Sequence, residues 1–308
     1  MAGGRRGRAV VKHVAAAALL TATLAATAAQ PTEPFFFDDF SQPDTATLRA
    51  QGWTLRDRAG HPGVPKARWA PEGLSLQPDP AQPGNGLLRL QAQTDGTPEG
   101  TVQAQACHQR RLLHGTWAAR VRFTDAPLQG ADGDPVVQAF YAIGELRHDL
   151  DPQFSEVDIE YLPNGGWGSP ETRLYAISWQ TVRLEPWQAW NSAHAEPGGH
   201  AGWRVLVVQS EPGVVRQYLD GRLIATHTGR HLPVEAMSLN LSLWFSPGGL
   251  LPPSATPRRW VMDVDWVLHS PARLAPEAVK VQVQALRAGG VAQRDTWPKA
   301  TLPVACDL

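Results

Sequence analysis

The sequence predicts an all-β sandwich, and three observations favour that fold class. Apolar and polar residues alternate with a period of two through at least nine short segments, as they do along half-buried strands. The 27 prolines and 28 glycines are spread along the chain and divide it into short pieces. Long helical periodicity is absent from the 308 residues. One apolar face of each strand would pack the core, and the other would face water or a ligand.

The first 28 residues are predicted to be a secretory signal peptide. A basic segment, residues 1–12, precedes an uncharged run rich in Ala and Leu at residues 14–25. Ala26-Thr27-Ala28 then supplies an A-x-A cleavage site. The alternative, a membrane anchor, fits less well because the apolar run is short and Ala-rich. We therefore expect a secreted or periplasmic protein.

The charge of the chain narrows the classes of partner. The formal net charge is −1, and removal of the four basic residues of the signal peptide leaves −5. This mildly acidic balance argues against nucleic acid and against an anionic membrane as partners once the signal peptide is cleaved. A neutral polysaccharide is compatible with it, and we expect the protein to bind one as a monomer.

The alternating segments are predicted to be the strands of the sandwich. Asp220-Gly221, between two of the apolar runs, is a typical hairpin turn. In residues 262–268 the alternation places Met262, Val264, Trp266 and Leu268 on one face. The predicted strands are residues 87–93, 102–108, 115–123, 136–143, 155–161, 174–179, 203–209, 215–219, 237–245 and 262–268.

The chain after residue 270 has a different character and is predicted to be a C-terminal extension, residues 271–308. Residues 275–288 alternate weakly (VKVQVQAL), which predicts an extra edge strand or a partly mobile extension. The two cysteines, Cys107 and Cys306, are 199 residues apart and could pair in an oxidising compartment. One pair carries little specificity, so the sequence leaves the bridge open.

Residues 155–161 (SEVDIEY) place three acids at every second position. On a strand, Val157, Ile159 and Tyr161 enter the core, and Glu156, Asp158 and Glu160 form one row on the opposite face. Neighbours in that row are about 6.6 Å apart and the outer pair about 13 Å apart along the strand. Crowded carboxyls raise one another's pKa, so one can stay protonated while another is ionised.

That combination is the one a retaining glycoside hydrolase needs, with an ionised nucleophile and a protonated acid. Two alternatives remain open for the row. The acids could decorate a solvated strand face, or they could bind calcium, although calcium ligands usually come from loops. The cysteines are not clustered and the histidines lack zinc spacing, so no metal site is predicted. No cofactor is needed for the hydrolytic chemistry.

The segment Glu156-Val157-Asp158-Ile159-Glu160 resembles the E-x-D-x-E signature of glycoside hydrolase family 16. Similarity to the family spans about residues 37 to 270, and it favours the regular-strand, lichenase-like branch. Residues 145–154 and Tyr141, where many members have Trp, depart from the pattern. The flanking segments that agree in order are FDDF (37–40), GTWAARVRF (115–123), VVQAFYAI (136–143), GWRVLVVQ (202–209), VRQYLDGRLI (215–224), MSLNLSLWF (237–245) and MDVDWVLH (262–269).

The resemblance implies a β-jelly-roll sandwich of two curved antiparallel sheets, like that of concanavalin A, as a catalytic domain over residues 31–270. It also implies retaining catalysis. By position, Glu156 would be the nucleophile, Glu160 the general acid/base, and Asp158 the assisting acid. The segment PNGGWG (163–168), which follows the acids, does not identify the glycan.

Aromatic residues are the predicted sugar contacts, because the apolar faces of sugar rings stack on them. Trp244 shares its strand face with Ser238, Asn240 and Ser242, so we expect Trp244 and Asn240 to face the glycan. Further predicted contacts are Trp167, Tyr141 and Trp179. Trp117, Trp266 and Trp203 are predicted core residues, and Trp187 and Trp190 would line a rim or hold a loop in place.

The sequence thus favours a secreted, endo-acting, retaining hydrolase of a β-glycan such as β-1,3/1,4-glucan. A transglycosylase using the same site is the first alternative. A carbohydrate-binding sandwich without activity is the second, and the complete acid row argues against it.

Overall fold

The structure is a computed structural model that describes residues 1–4 and 33–306. The described residues 33–306 belong to one compact unit, and the described residues 1–4 contain no helix or strand. The predicted signal peptide therefore lies almost entirely outside the described residues and stays a prediction. Among the described residues, no helix combines the length and the apolar character that crossing a membrane requires.

The part of this compact unit that the structure describes contains seventeen strands and two α-helices. The sheets are antiparallel except where β3 runs parallel to the start of β6. The elements are β1 (Phe36–Asp38), α1 (Thr45–Ala50), β2 (Thr54–Leu55), β3 (Arg68–Trp69), a 3₁₀ turn (Pro71–Gly73), β4 (Leu74–Pro78), β5 (Gly86–Thr94), β6 (Val102–Leu112), β7 (Gly115–Phe123), β8 (Val136–Ile143), β9 (Glu156–Leu162), β10 (Arg173–Arg183), β11 (Gln188–Pro197), β12 (Gly202–Glu211), β13 (Val214–Leu219), β14 (Arg222–His227), β15 (Met237–Phe245), β16 (Arg258–Ser270), α2 (Pro276–Ala288) and β17 (Gln293–Asp295).

Two sheets face each other. We call the sheet that contains β9 the acid sheet, and its order is β11–β10–β9–β8–β15–β6–β2. The back sheet has the order β14–β13–β12–β7–β16, and the far edge of β16 pairs with β5 and β1. The predicted β-jelly-roll sandwich is confirmed.

The core lies between the two sheets. Trp117 of β7 and Tyr161 of β9, one from each sheet, belong to the same buried cluster, as do Phe245 and Trp260. Trp117 is fully buried, as the sequence predicts. Two further apolar clusters cover the outer faces, one around Tyr141 and Trp244 on the acid sheet and one beneath α2 on the back sheet. Apolar packing therefore occurs in three layers.

β16 departs from its predicted alternation. The pairing with β7 shifts register between Val264 and Trp266, so one extra residue enters the strand. Met262 and Val264 point into the core, whereas Trp266 and Leu268 lie on the outer face against α2. The expectation that these four residues share one face was wrong. Trp203 is half-buried, and the Arg120 guanidinium lies 4.3 Å from its ring centre.

α2 replaces the predicted edge strand at residues 275–288. Pro276 stands in its first turn, where a missing N–H costs nothing. Val279 and Val283, one turn apart, are buried against the back sheet, while Val281 between them is 64% exposed. The edge strand of this region is β17, which pairs with β1. The structure also joins Cys107 to Cys306 in a disulfide, which the sequence left open.

Candidate active site

The acid row lies on a central strand of the acid sheet. β9 is paired on both sides, with β8 and with β10, and Asp158 stands opposite Tyr141 and Ile177. Val157 and Ile159 are fully buried in the core between the sheets, as predicted. Because successive side chains alternate across a strand, Glu156, Asp158 and Glu160 share the outer face. We call this outer surface of the acid sheet the acid face.

Two tryptophans fix the acids by hydrogen bonds. The Trp179 indole Nε1 donates to Asp158 Oδ2 at 2.6 Å, and the Trp167 Nε1 donates to Glu160 Oε2 at 3.0 Å. Asp158 is only 3% exposed, whereas Glu156 and Glu160 are half-buried on either side of it. The two glutamates thus keep open surface while the aspartate between them is covered.

Burial raises the pKa of all three carboxyls. It raises the pKa of Glu156 to about 8, with added repulsion from Glu160, and that of Glu160 to about 7. The pKa of Asp158 also rises, first through burial and then through the charges of Glu156 and Glu160. A hydrogen bond between Asp158 and Glu156 lowers the pKa of Glu156 and raises that of Asp158. Neutral pH therefore lies close to the raised pKa values of the two glutamates, so the row holds protons there that isolated carboxyls would lose.

Trp167 and Trp244 form an aromatic pair beside Glu160. Their ring centres are 5.8 Å apart, with Trp167 43% exposed and Trp244 4% exposed beneath it. Trp167 has a positive φ of 50° between Gly166 and Gly168, which also have positive φ. Because glycine accepts such angles at little cost, the loop can turn the indole onto the acid face. Trp244 does lie on that face, as its polar neighbours predict.

Trp179 is an aromatic residue on the opposite side of the row, on β10. It stands opposite Glu156 on β10, and its ring meets that of Trp187 edge-on at 6.3 Å. Trp187 is 57% exposed, so it stands at a rim, one of the two places the sequence allows. Trp190 is half-buried on β11, a polar and exposed edge strand that the sequence suggests is a loop.

Asn240 is placed differently from the prediction. It lies on the acid face opposite Tyr141, but it is fully buried. Its Nδ2 donates to the carbonyl of Ala305 at 3.2 Å, and its Oδ1 accepts from Gln105 Nε2 at 2.9 Å. C-terminal residues therefore cover Asn240. The prediction that Asn240 is open to the glycan is corrected accordingly. Tyr141 is 6% exposed, and its hydroxyl oxygen lies 2.6 Å from Gln105 Nε2.

Gln105 and Arg56 are site residues that the sequence did not single out. Arg56 Nη1 donates to Gln105 Oε1 at 2.9 Å, and its guanidinium lies 4.2 Å from the Trp69 ring centre. The sequence has no signal that separates Gln105 from the other polar residues of β6, such as Gln103 and His108. Among the described residues, no group of three His, Cys, Asp or Glu side chains is arranged to hold a metal ion.

Comparison with known proteins finds similarity between this structure and solved structures. No family model matches the chain, and no curated protein matches it in sequence. A β-1,3-1,4-glucanase (lichenase) from a mouse hindgut metagenome is 17% identical, with a TM-score of 0.54, over 77% of this chain and 99% of that one. A β-glucanase of Bacillus licheniformis is 16% identical, with a TM-score of 0.54, over 78% and 99%.

A glycoside hydrolase of family 16 from Bacteroides ovatus, associated with mixed-linkage glucan and solved with a G4G4G3G product, is 12% identical. Its TM-score is 0.57, over 75% of this chain and 98% of that one. At these identities the likeness shows a shared fold. The resemblance to family 16 thus holds for the architecture.

Proposed function

We propose that the protein is an exported hydrolase of β-linked glucans that cleaves with retention at the anomeric carbon. The observation that supports this most is the acid row itself, three carboxyls on one face of a central strand with raised pKa values and indole donors at two of them. The fold it shares with solved β-glucanases agrees with the proposal.

In the first step, the ionised Glu156 attacks the anomeric carbon while the protonated Glu160 gives its proton to the glycosidic oxygen. The bond to that oxygen breaks, the leaving sugar departs as an alcohol, and a glycosyl ester forms on Glu156. In the second step, Glu160 takes a proton from water, whose oxygen attacks the same carbon and frees Glu156. Two inversions give net retention.

Asp158 supports the nucleophile in this scheme. Its proton, held in a covered position, bonds to Glu156 and stabilises the charged form of that carboxyl. The Trp179 Nε1 donates to Oδ2 of Asp158 and so holds the aspartate in one orientation. The hydrogen bond from Asp158 lowers the pKa of Glu156 against the larger effect of burial, and the reaction proceeds from the fraction of molecules in which Glu156 is ionised.

Digestion of a glycan panel tests the proposal. The panel holds mixed-linkage β-glucan, laminarin, xyloglucan, chitin and agarose, and the products are sized. We expect cleavage of mixed-linkage β-glucan or laminarin, and proton NMR taken early in the reaction should show β-configured reducing ends. Failure to cut any glycan, or the appearance of α-configured ends first, would overturn the proposal.

The roles of the two glutamates are tested by substitution. Glu156→Gln and Glu160→Gln should each lower turnover by about 10²–10⁴-fold or more, while glycan binding persists. Glu99→Gln is the matched control because Glu99 is exposed and far along the chain from the row. Unchanged turnover in either active-site variant would contradict its role.

Azide separates the nucleophile from the acid/base. In Glu156→Ala, azide can enter the space of the missing carboxyl and attack the anomeric carbon once, which gives an α-glycosyl azide. In Glu160→Ala, azide attacks the glycosyl ester in the second step and gives a β-glycosyl azide. Exchanged anomers would reverse the assignment.

A further inference from the structure

The acid face is open on one side of the acid row and covered on the other. Toward β10 and β11, Trp179 is half-buried and Trp187 is exposed. Toward β15 and β6, the final described residues of the chain, 303–306, lie on the sheet. We call residues 303–306 the C-terminal strap.

The cross-strand register places the strap in line with the acids. Asp158 pairs with Tyr141, Tyr141 with Asn240, and Asn240 with Cys107, so the four side chains cross the same face from β9 to β6. Cys107 is the disulfide partner of Cys306. Ala305 belongs to the apolar cluster of Tyr141 and Trp244. The strap is thus bonded to Cys107, the last residue of the row that runs across the strands from Asp158.

The backbone of the strap forms hydrogen bonds with polar side chains of the acid face that could otherwise bind a sugar. Asn240 Nδ2 donates to the Ala305 carbonyl, and Gln105 Nε2 donates to the Cys306 carbonyl. The Ala305 N–H donates to Ser238 Oγ at 2.9 Å. Amides and hydroxyls beside aromatic rings typically bind sugar hydroxyls and ring faces. Here the backbone of the strap occupies these side chains, and the Cys107–Cys306 disulfide holds the strap in place.

We propose that the C-terminal strap closes the β15–β6 side of the acid face against glycan and makes the site one-sided. The inference rests on the proposed glycan hydrolysis and specifies its substrate: a chain end that abuts the strap. β9 and β15 are two strand spacings apart, about 9.6 Å, so the strap lies within about two sugar lengths of the acid row. The enzyme then releases short products from a chain end, in contrast to the endo action that the sequence favours.

Release of the strap after folding tests this. A protease site placed across residues 298–301, of which 298, 299 and 301 are exposed, is cut in the folded protein, and the disulfide is then reduced with a dithiol. The peptide that carries the strap is removed by gel filtration. Cut but unreduced protein and reduced but uncut protein are the two controls, and near-UV circular dichroism verifies that each remains folded. A chain that ends at residue 302 provides a second, genetic version.

Two measurements are made on each protein. Product sizes are followed early in the digestion of mixed-linkage β-glucan and laminarin. In parallel, the Glu160→Gln versions are run in native gels that contain these glucans, which reports binding without turnover.

We expect mainly mono- and disaccharides from the strapped protein and longer oligosaccharides from the released protein. Retardation in the gels should show that release makes glucan binding about tenfold tighter. Equal product sizes and equal retardation in strapped and released protein would overturn the strap inference while leaving the hydrolase proposal intact. Absence of both cleavage and retardation in every version would overturn the proposed function, and this inference with it.

Discussion

The hydrogen bond from Trp167 to Glu160 lowers the pKa of that carboxyl, because an N–H donor favours the ionised form. Burial opposes it and leaves the pKa of Glu160 at about 7. Trp167→Phe keeps the ring and removes the donor, so the pKa of Glu160 should rise further. If Glu160 is the general acid, the alkaline limb of the kcat/KM profile should move up by roughly 0.5–1 pH unit.

The control for this experiment is Trp187→Phe. Trp187 is also an exposed indole near the row, but in the described structure its N–H donates to none of the three acids. Its substitution should leave the alkaline limb in place. A downward shift in Trp167→Phe, or equal shifts in both variants, would contradict the assigned hydrogen bond.

Glu156 should make the folded state less stable as pH rises. Its folded pKa of about 8 lies above the ordinary value of 4.5, so the folded state keeps a proton that the unfolded chain has lost between these values. Stability therefore falls as pH increases from about 4.5 to about 8.

Glu156→Gln removes this contribution. We expect its melting temperature to match that of the wild type near pH 4 and to exceed it at pH 8, by roughly 2–4 °C for each 1 kcal/mol removed. Thermal melts at pH 4, 6 and 8 provide the measurement, with Glu99→Gln as the exposed reference. A difference that does not change with pH would rule out the raised pKa.

At the scale of elements, the segment that forms α2 allows a test of whether it is a helix or the edge strand that the sequence predicts. In a strand, Val279, Val281 and Val283 would share one face, whereas in the helix only the first and last are buried. Val279→Ala should lower the free energy of unfolding by roughly 1–3 kcal/mol, and Val281→Ala should change it by less than about 0.5 kcal/mol. Urea denaturation of the two variants measures this, and equal losses would favour the strand.

Most strands of the two sheets could be predicted because each buries one face, and burial imposes a period of two on the sequence. β7, β8 and β15 are predicted to their last residue for this reason. β11 could not be found this way, since most of its residues are partly or fully exposed at a sheet edge. The extra residue in β16 also leaves no local trace, because its cause is the pairing with a distant strand.

The candidate site could likewise be predicted only where a local sequence pattern determines it. The acid row follows from a local pattern, and so does the placement of Trp244 on the acid face. The burial of Asn240 does not, because the covering Ala305 is 65 residues away in the chain. Nor does local pattern bring Trp167 to Glu160, since that contact depends on a loop with several positive φ angles.

At the scale of the whole molecule, the disulfide closes a loop of 199 residues and restricts the unfolded chain. The chain-entropy relation gives about 5 kcal/mol of stability for a loop of this length. Cys107→Ser/Cys306→Ser should therefore lower the free energy of unfolding by about that amount, measured with guanidinium chloride. The wild type under reducing conditions is the comparison, and a loss below about 1 kcal/mol would contradict the expectation.

The first and last strands of the fold meet side by side. The Phe35 N–H donates to Thr296 Oγ1 across 261 residues, and β1 is held between β16 and β17. A growing polypeptide cannot complete the back sheet until nearly all of it has left the ribosome, and such distant pairing is slow. Completion of the sandwich therefore waits until synthesis is nearly finished, because a shorter nascent chain lacks the strand that pairs with β1 at the edge of the back sheet.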